Sequence, residues 1–223
     1  MRRLTFALAL GAAALALPAL AERQVTHDIR VSTARGNIKR VVIDIPAGEF
    51  HVRNGANIAV DGMVRRNYDG DRSRVKSQRV VDDMSAEIVV DGDVATIRRT
   101  FGPNAKGWSA RNHTNYEVTI EVPKGLDVDA QTRFGELNID GSFGNFDVDM
   151  NAGEIHMTAP RKSVRHLSAS VRIGEVHANT GSSTIENEGL FPHTARYTNA
   201  ESTTDTSVNL HVTFGEVHVT LTQ

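Results

Sequence analysis

Five times along this chain a glycine interrupts a run of alternating apolar and polar residues. Each time the same short pattern follows: an acid, an apolar residue, then His or Asn. The copies are Gly48-Glu49-Phe50-His51-Val52, Gly135-Glu136-Leu137-Asn138-Ile139, Gly153-Glu154-Ile155-His156-Met157, Gly174-Glu175-Val176-His177-Ala178 and Gly215-Glu216-Val217-His218-Val219. Mostly apolar residues recur seven, five, three and one positions before each glycine. For Gly215 these are Val208, Leu210, Val212 and Phe214; for Gly174 they are Leu167, Ala169, Val171 and Ile173. The Gly135 copy is looser, with Val128, Ala130, Thr132 and Phe134.

Alternation of this kind marks a strand with one face on a core. At the glycine the phase flips, so that inward positions are odd before it and even after it. A phase slip beside a glycine is what a bulge or a sharp bend produces. Each unit therefore predicts a strand, a glycine corner and a second strand. One such unit cannot bury its apolar face alone, and stacked neighbours complete it. Gly135 and Gly153 are 18 residues apart, Gly153 and Gly174 are 21, and Gly174 and Gly215 are 41. The last interval is about twice the period, so residues 179–207 fit either a degenerate rung or a long loop.

The stretch from Gly55 to Pro123 reads differently. Asn57–Val64, Glu87–Phe101 and Asn115–Val122 alternate over longer runs, and Asp91-Gly92 is a hairpin signal. These predict antiparallel strands packed on the repeat or capping it. Arg65–Arg79 reads as a charged, turn-rich connection and Gly102–His113 as a second loop, holding Trp108. No helical periodicity is expected after the leader. The fold class expected is all-β: a β-solenoid-like stack of strand–glycine corner–strand repeats with an antiparallel N-terminal part.

The chain opens with Arg2 and Arg3, an apolar stretch from Leu4 to Leu17, and Pro18-Ala19-Leu20-Ala21. This is the pattern of a secretory leader cleaved near Ala21. Residues 1–21 are then the leader, 22–125 an N-terminal β region and 126–223 the β-repeat region, the last two forming one continuous domain. No later segment is apolar enough for a transmembrane helix. The expected location is the periplasm or the outside of the cell.

Of 25 Lys and Arg, loss of Arg2 and Arg3 leaves 23 against 27 acidic residues, a net charge of −4 with His neutral. That excludes the basic footprint a nucleic-acid binder needs. With no cysteine, disulfides, thiolate metal sites and cysteine nucleophiles are excluded too.

The Glu and His of each corner are two residues apart on one strand. They share the outer face, roughly 7 Å apart, and stacked neighbours lie about 4.8 Å away. Glu154, His156, Glu175 and His177 then form a compact patch, and His218 repeats the imidazole. Such donors suit Zn²⁺, Cu²⁺ or Ni²⁺, so these five residues are the candidate metal ligands. The plainer alternative is a solvated face of ordinary polar residues. A register of Glu repels itself, and neighbouring His, Arg133 or Arg172 would relieve it. No other cofactor is implied.

Other constellations are weaker. Asp140-Gly141, Asn151-Ala152-Gly153 and Asp91-Gly92-Asp93 fit turns, and the Gly-Gly-x-Gly-x-Asp tandems of a calcium β-helix do not occur. Asp147 and Asp149 share one outer face and have the chemistry of a glycosidase acid–base pair, but nothing marks a cleft. No nucleophile elbow or phosphate loop is present. Arg65, Arg66, Arg72, Arg74, Lys76 and Arg79 form a basic cluster, read as a solvated loop.

Tyr116-Glu117-Val118-Thr119-Ile120-Glu121-Val122-Pro123-Lys124-Gly125-Leu126-Asp127-Val128, followed by the Gly-Glu corners, resembles the putative-adhesin family of bacterial envelope proteins. The resemblance covers most of residues 36–223. The chain departs from the family pattern in the His after the corner and in the polar insert at 179–207. The resemblance implies a β-solenoid-like fold, an envelope or surface location and no established catalysis, and it carries no binding residues across. Relatives are linked to adhesion or to envelope-stress sensing.

The expectation is a non-enzymatic exported envelope protein with an adhesin-like binding or structural role. Its partner would be a surface glycan, an envelope protein or another copy of itself. The alternatives are a metal- or pH-responsive periplasmic protein using the Glu/His stripe, and a polysaccharide-processing β-helix enzyme.

Overall fold

Period-two alternation becomes thirteen strands and leaves one α-helix among the described residues. The structure is a computed structural model and describes residues 23–106, 114–181, 186–188 and 192–223. The expected leader and Trp108 lie outside them. The chain order is β1 (Gln24–Thr33), β2 (Arg40–Asp44), β3 (Ala47–Asn54), β4 (Ile58–Asn67), α1 (Gly70–Asp82), β5 (Met84–Asp91), β6 (Val94–Phe101), β7 (Thr114–Val122), β8 (Asp127–Asp140), β9 (Phe146–Pro160), β10 (His166–Asn179), β11 (Glu186–Glu188), β12 (His193–Thr198) and β13 (Ser207–Thr222). The fold is thus mostly β, and the expectation of an all-β chain is corrected by α1.

All thirteen strands join one mixed sheet. Its centre is a parallel block in the order β3, β8, β9, β13, β10. The five corner glycines lie directly opposite one another in the order Gly48, Gly135, Gly153, Gly215, Gly174. The first rung is split in two. β2 pairs with residues 127–131 of β8, and β3 pairs with its residues 134–140. β6 and β5 extend the β2 side, while β7, β4 and β1 extend the β3 side. The β5–β6 hairpin forms where the Asp91-Gly92 signal placed it, with Asp91 paired to Val94 and Gly92-Asp93 as the two turn residues. The N-terminal part is not purely antiparallel, because β6 and β7 join the first rung in parallel.

The inward side chains form one continuous core. Phe146, Met150, Leu137, Val212, Val217 and Ile97 are all at most 1% exposed. Each large apolar side chain buried this way contributes about 1.5–3 kcal/mol. The glycine is required where the rungs meet. Gly153 has φ 139°, and a Cβ there would stand 1.9 Å from the carbonyl oxygen of Gly135. The backbones approach closely because no side chain separates them.

Four expectations need correction. First, the phase slip begins before the glycine, not at it. Arg133 and Phe134 both donate their N–H to the carbonyl of Pro46, so two successive residues of one rung oppose one residue of the next, as in a bulge. Residues one position before the glycine are therefore turned outward. Phe134, Phe214 and Ile173 are 59%, 52% and 50% exposed.

Second, Gly70–Asp82 of the supposed turn-rich connection is helical. Arg72, Arg74, Lys76, Arg79 and Asp82 are exposed, while Ser77, Val80 and Val81 are buried against the strands. Gln78 donates to the Thr26 carbonyl of β1. Four residues bearing on one side suffice to dock a helix that carries little periodic signal.

Third, the insert at 179–207 contributes no parallel rung among its described residues. β12 runs antiparallel along residues 166–171 of β10, and β11 along β12. Fourth, the rungs do not stack in chain order. β13, the last strand, lies between β9 and β10. The insert returns the chain past β10, and a parallel ladder in which every rung carries the same motif accepts β13 there.

Candidate functional site

Positions one and three after each glycine point away from the core, as period two requires. Parallel, in-register pairing lines them up across the sheet. One row runs Glu117, Glu49, Glu136, Glu154, Glu216, Glu175. Beside it runs Thr119, His51, Asn138, His156, His218, His177. Glu117 and Thr119 come from β7, outside the repeated motif.

A Glu row at strand spacing is self-repelling, and its length is relieved in two ways. At one end Arg65 of β4 reaches Glu117 at 2.8 Å and Glu49 at 3.4 Å, and Asn115 donates to Glu49 at 3.0 Å. Further along, each carboxylate is met by the side chain two residues on. Asn138 donates to Glu136 at 2.8 Å. His156 Nε2 lies 3.1 Å from Glu154, His218 Nε2 2.9 Å from Glu216 and His177 Nε2 3.1 Å from Glu175. Arg133 and Arg172, expected to share this task, stand before the corner, and Arg65 holds the acids instead.

The three imidazoles at the other end stack. The His156 and His218 ring centres are 4.8 Å apart with planes at 10°, and those of His218 and His177 are 4.8 Å apart at 19°. The five candidate ligands are thus all on one face, but Glu154 and His156 are not next to Glu175 and His177. Glu216 and His218 of β13 separate them. The tightest set of donors is His177, Glu216 and His218, whose ligand atoms all lie within 4.8 Å of one another. Glu216 was absent from the expected ligands although it occupies the same motif slot as Glu154 and Glu175. Reading the motif uniformly would have included it.

The remaining candidates have local roles. Asp147 accepts from Asn209 Nδ2 at 2.7 Å. Asp149 stands opposite Gln131 and His211 in the strand register. Of the basic cluster, Arg65 and Arg66 lie on β4, whereas Arg72, Arg74, Lys76 and Arg79 lie on α1. The chemistry on offer is therefore an exposed double row of carboxylates and imidazoles, bordered before the corner by Phe134, Phe214 and Ile173. It can accept hydrogen bonds from hydroxyls, attract cations and ligate metal.

No family model matches the chain, and no curated protein matches it in sequence. Its fold is similar to that of a putative cell adhesion protein from Clostridium sporogenes, with 11% identity, a TM-score of 0.51, and coverage of 89% of this chain and 100% of that one. Lesser likenesses are to putative adhesins from Parabacteroides merdae (9% identity, 70% and 67% covered, TM-score 0.29) and Bacteroides fragilis (7% identity, 89% and 97% covered, TM-score 0.27). The resemblance drawn from the sequence is met in the fold by the Clostridium sporogenes protein.

Proposed function

We propose that this chain is a non-enzymatic envelope protein that binds or scaffolds through the outer face of its repeat. The observation that carries this reading is the in-register double row, which offers one repeated set of polar groups across six strands. A repeated, exposed surface of this kind suits a repetitive or extended partner, as in other stacked-repeat proteins. The polar groups run the length of the sheet, and the open depression of about 420 Å³ that Glu49, His51, Glu117 and Glu136 line is a stretch of the same rows; an extended set of groups of this kind suits binding. The five in-register bent rungs support a solenoid-like description. The leader pattern at residues 1–21 supports export to the periplasm or the exterior, with 22–223 as one domain. No described helix is long and apolar enough to cross a membrane.

The partner class is a surface glycan, an envelope protein or a second copy. The test immobilises the chain and presents bacterial polysaccharides, isolated envelope proteins and the chain itself. Reducing-end release is followed in parallel on the polysaccharides. The reading expects saturable binding to one class without product, weakened by the Glu136→Lys/Glu154→Lys pair. Glycan turnover, or binding indifferent to that charge reversal, overturns it.

A further inference from the structure

We propose that His177, Glu216 and His218 form an open, three-ligand site for a first-row divalent ion of the imidazole-binding class, with Zn²⁺ as its representative. This goes beyond the binding-surface reading and does not depend on it. That reading rests on the length of the rows, and this one on a single point at their end.

The geometry begins with register. His177 of β10 and His218 of β13 are directly opposite in a parallel pair, and so are Glu175 and Glu216. The two rings stack at 4.8 Å, which sets both Nε2 atoms on the same side, toward the Glu row. His218 Nε2 and Glu216 Oε2 already lie 2.9 Å apart. An ion with Zn–N and Zn–O distances of about 2.0–2.2 Å spans such a pair, taking the place of the proton in that hydrogen bond. His177 supplies the third donor.

In a tetrahedral site ligand atoms stand about 3.3 Å apart, as follows from metal–ligand distances near 2.0 Å. All separations here are within 4.8 Å, so an inward swing of His177 by at most about 1.5 Å reaches the tetrahedral spacing. Its side chain is 53% exposed and its Nε2 lies 3.1 Å from Glu175, an exposed contact of the weak kind, which the swing gives up. The fourth position faces solvent. An open position of this kind takes water or a donor from outside the chain.

The donor set selects the ion. Two imidazoles and one carboxylate suit Zn²⁺, Cu²⁺ or Ni²⁺, whereas Ca²⁺ and Mg²⁺ take oxygen donors. The position is also specific within the row. His51, at the same motif slot, has Thr119 and Asn138 as its neighbours and no second imidazole beside it. His156 stacks on His218 at the same 4.8 Å, but among the described residues it is His177, with Glu216 and His218, whose ligand atoms gather within 4.8 Å of one another, and His218 Nε2 cannot serve two ions at once.

The experiment titrates the full chain, stripped with a chelator, with Zn²⁺ by calorimetry and with Ca²⁺ alongside. One saturable Zn²⁺ site is expected, with Ca²⁺ silent. His177→Ala, Glu216→Gln and His218→Ala each weaken it at least about tenfold, since even outer partners of ligands are worth roughly 10–100-fold. His51→Ala leaves it unchanged. Because a variant could misfold, imidazole nitrogen shifts of the unmodified chain are read during the same titration. Those of His177 and His218 move, and that of His51 does not. Absence of a saturable site, equal response to Ca²⁺, undiminished binding by His177→Ala and His218→Ala, or shifts at His51 as large as at His218 would each overturn the site. None of these outcomes bears on glycan or protein binding by the rest of the face.

Discussion

Replacing Gly153 by Ala places a methyl group inside the glycine ladder. The new Cβ would meet the carbonyl oxygen of Gly135 at 1.9 Å and its carbon at 2.9 Å. The contact is with backbone, so no side chain can rotate away, and the two rungs must part by at least about 1.5 Å to reach ordinary van der Waals distance. The residue also keeps φ 139°, a conformation costing about 1–3 kcal/mol for an L side chain. Parting the rungs weakens about two ladder hydrogen bonds at roughly 1 kcal/mol each. The sum is about 3–5 kcal/mol, against a total stability of about 5–15 kcal/mol for a domain. Urea unfolding followed by circular dichroism measures it, and the melting temperature should fall by about 6–20 °C. Gly92→Ala is the control. Gly92 has φ 60° with nothing within 4 Å of its Cβ position, so only the left-handed conformation is penalised, by about 1–2 kcal/mol. If Gly153→Ala costs no more than Gly92→Ala, the close backbone approach at the corner is wrong.

Three further perturbations test other parts of the account. Burial pushes the Tyr116 phenol up to about 12, against the opposing pull of Arg99. The neutral form is the one the fold favours, so its contribution is complete below the unfolded pKa of about 10 and is lost as pH rises to about 12, by roughly 2–3 kcal/mol. Denaturant titrations across that window should show this loss in the parent and not in Tyr116→Phe. Val81 of α1 is fully buried and Val75 is 56% exposed. Val81→Ala should therefore cost about 2 kcal/mol and Val75→Ala less than about 0.5 kcal/mol by the same urea assay. Glu136 lies between Glu49 and Glu154 in the row. Glu136→Gln should raise stability by roughly 0.2–0.5 kcal/mol, and the gain should vanish at about 1 M salt, where screening is complete over about 3 Å.

The corners were legible in the sequence because two independent signals coincide at each. Alternation changes phase, and a glycine stands beside the change. The outward Glu and His followed from the same count. Phe134, Ile173 and Phe214 were misassigned to the core because the count located the slip at the glycine, whereas the paired N–H groups of Arg133 and Phe134 locate it two residues earlier. Helix α1 was illegible because its burial rests on Ser77, Val80 and Val81 near its C-terminal end, too few to produce a period across thirteen residues. The order of the rungs was illegible for a different reason. Identical motifs make identical neighbours, so nothing local distinguishes β10 from β13 as the partner of β9. That choice decides which histidines meet, and it moved the densest donor set from β9 and β10 to β10 and β13.

The placement of β13 between β9 and β10 is therefore the claim on which the outer face depends, and the absence of cysteine from the chain makes it directly testable. Three double variants are compared under mild oxidation, with cross-links mapped by mass spectrometry: His156→Cys/His218→Cys, His177→Cys/His218→Cys and His156→Cys/His177→Cys. Adjacent strands lie about 4.8 Å apart and alternate ones about twice that, while a disulfide needs Cα atoms within about 7 Å. The first two pairs should cross-link and the third should not. Efficient cross-linking of positions 156 and 177, with neither reaching 218, would contradict the order of the rungs and the row of histidines built on it.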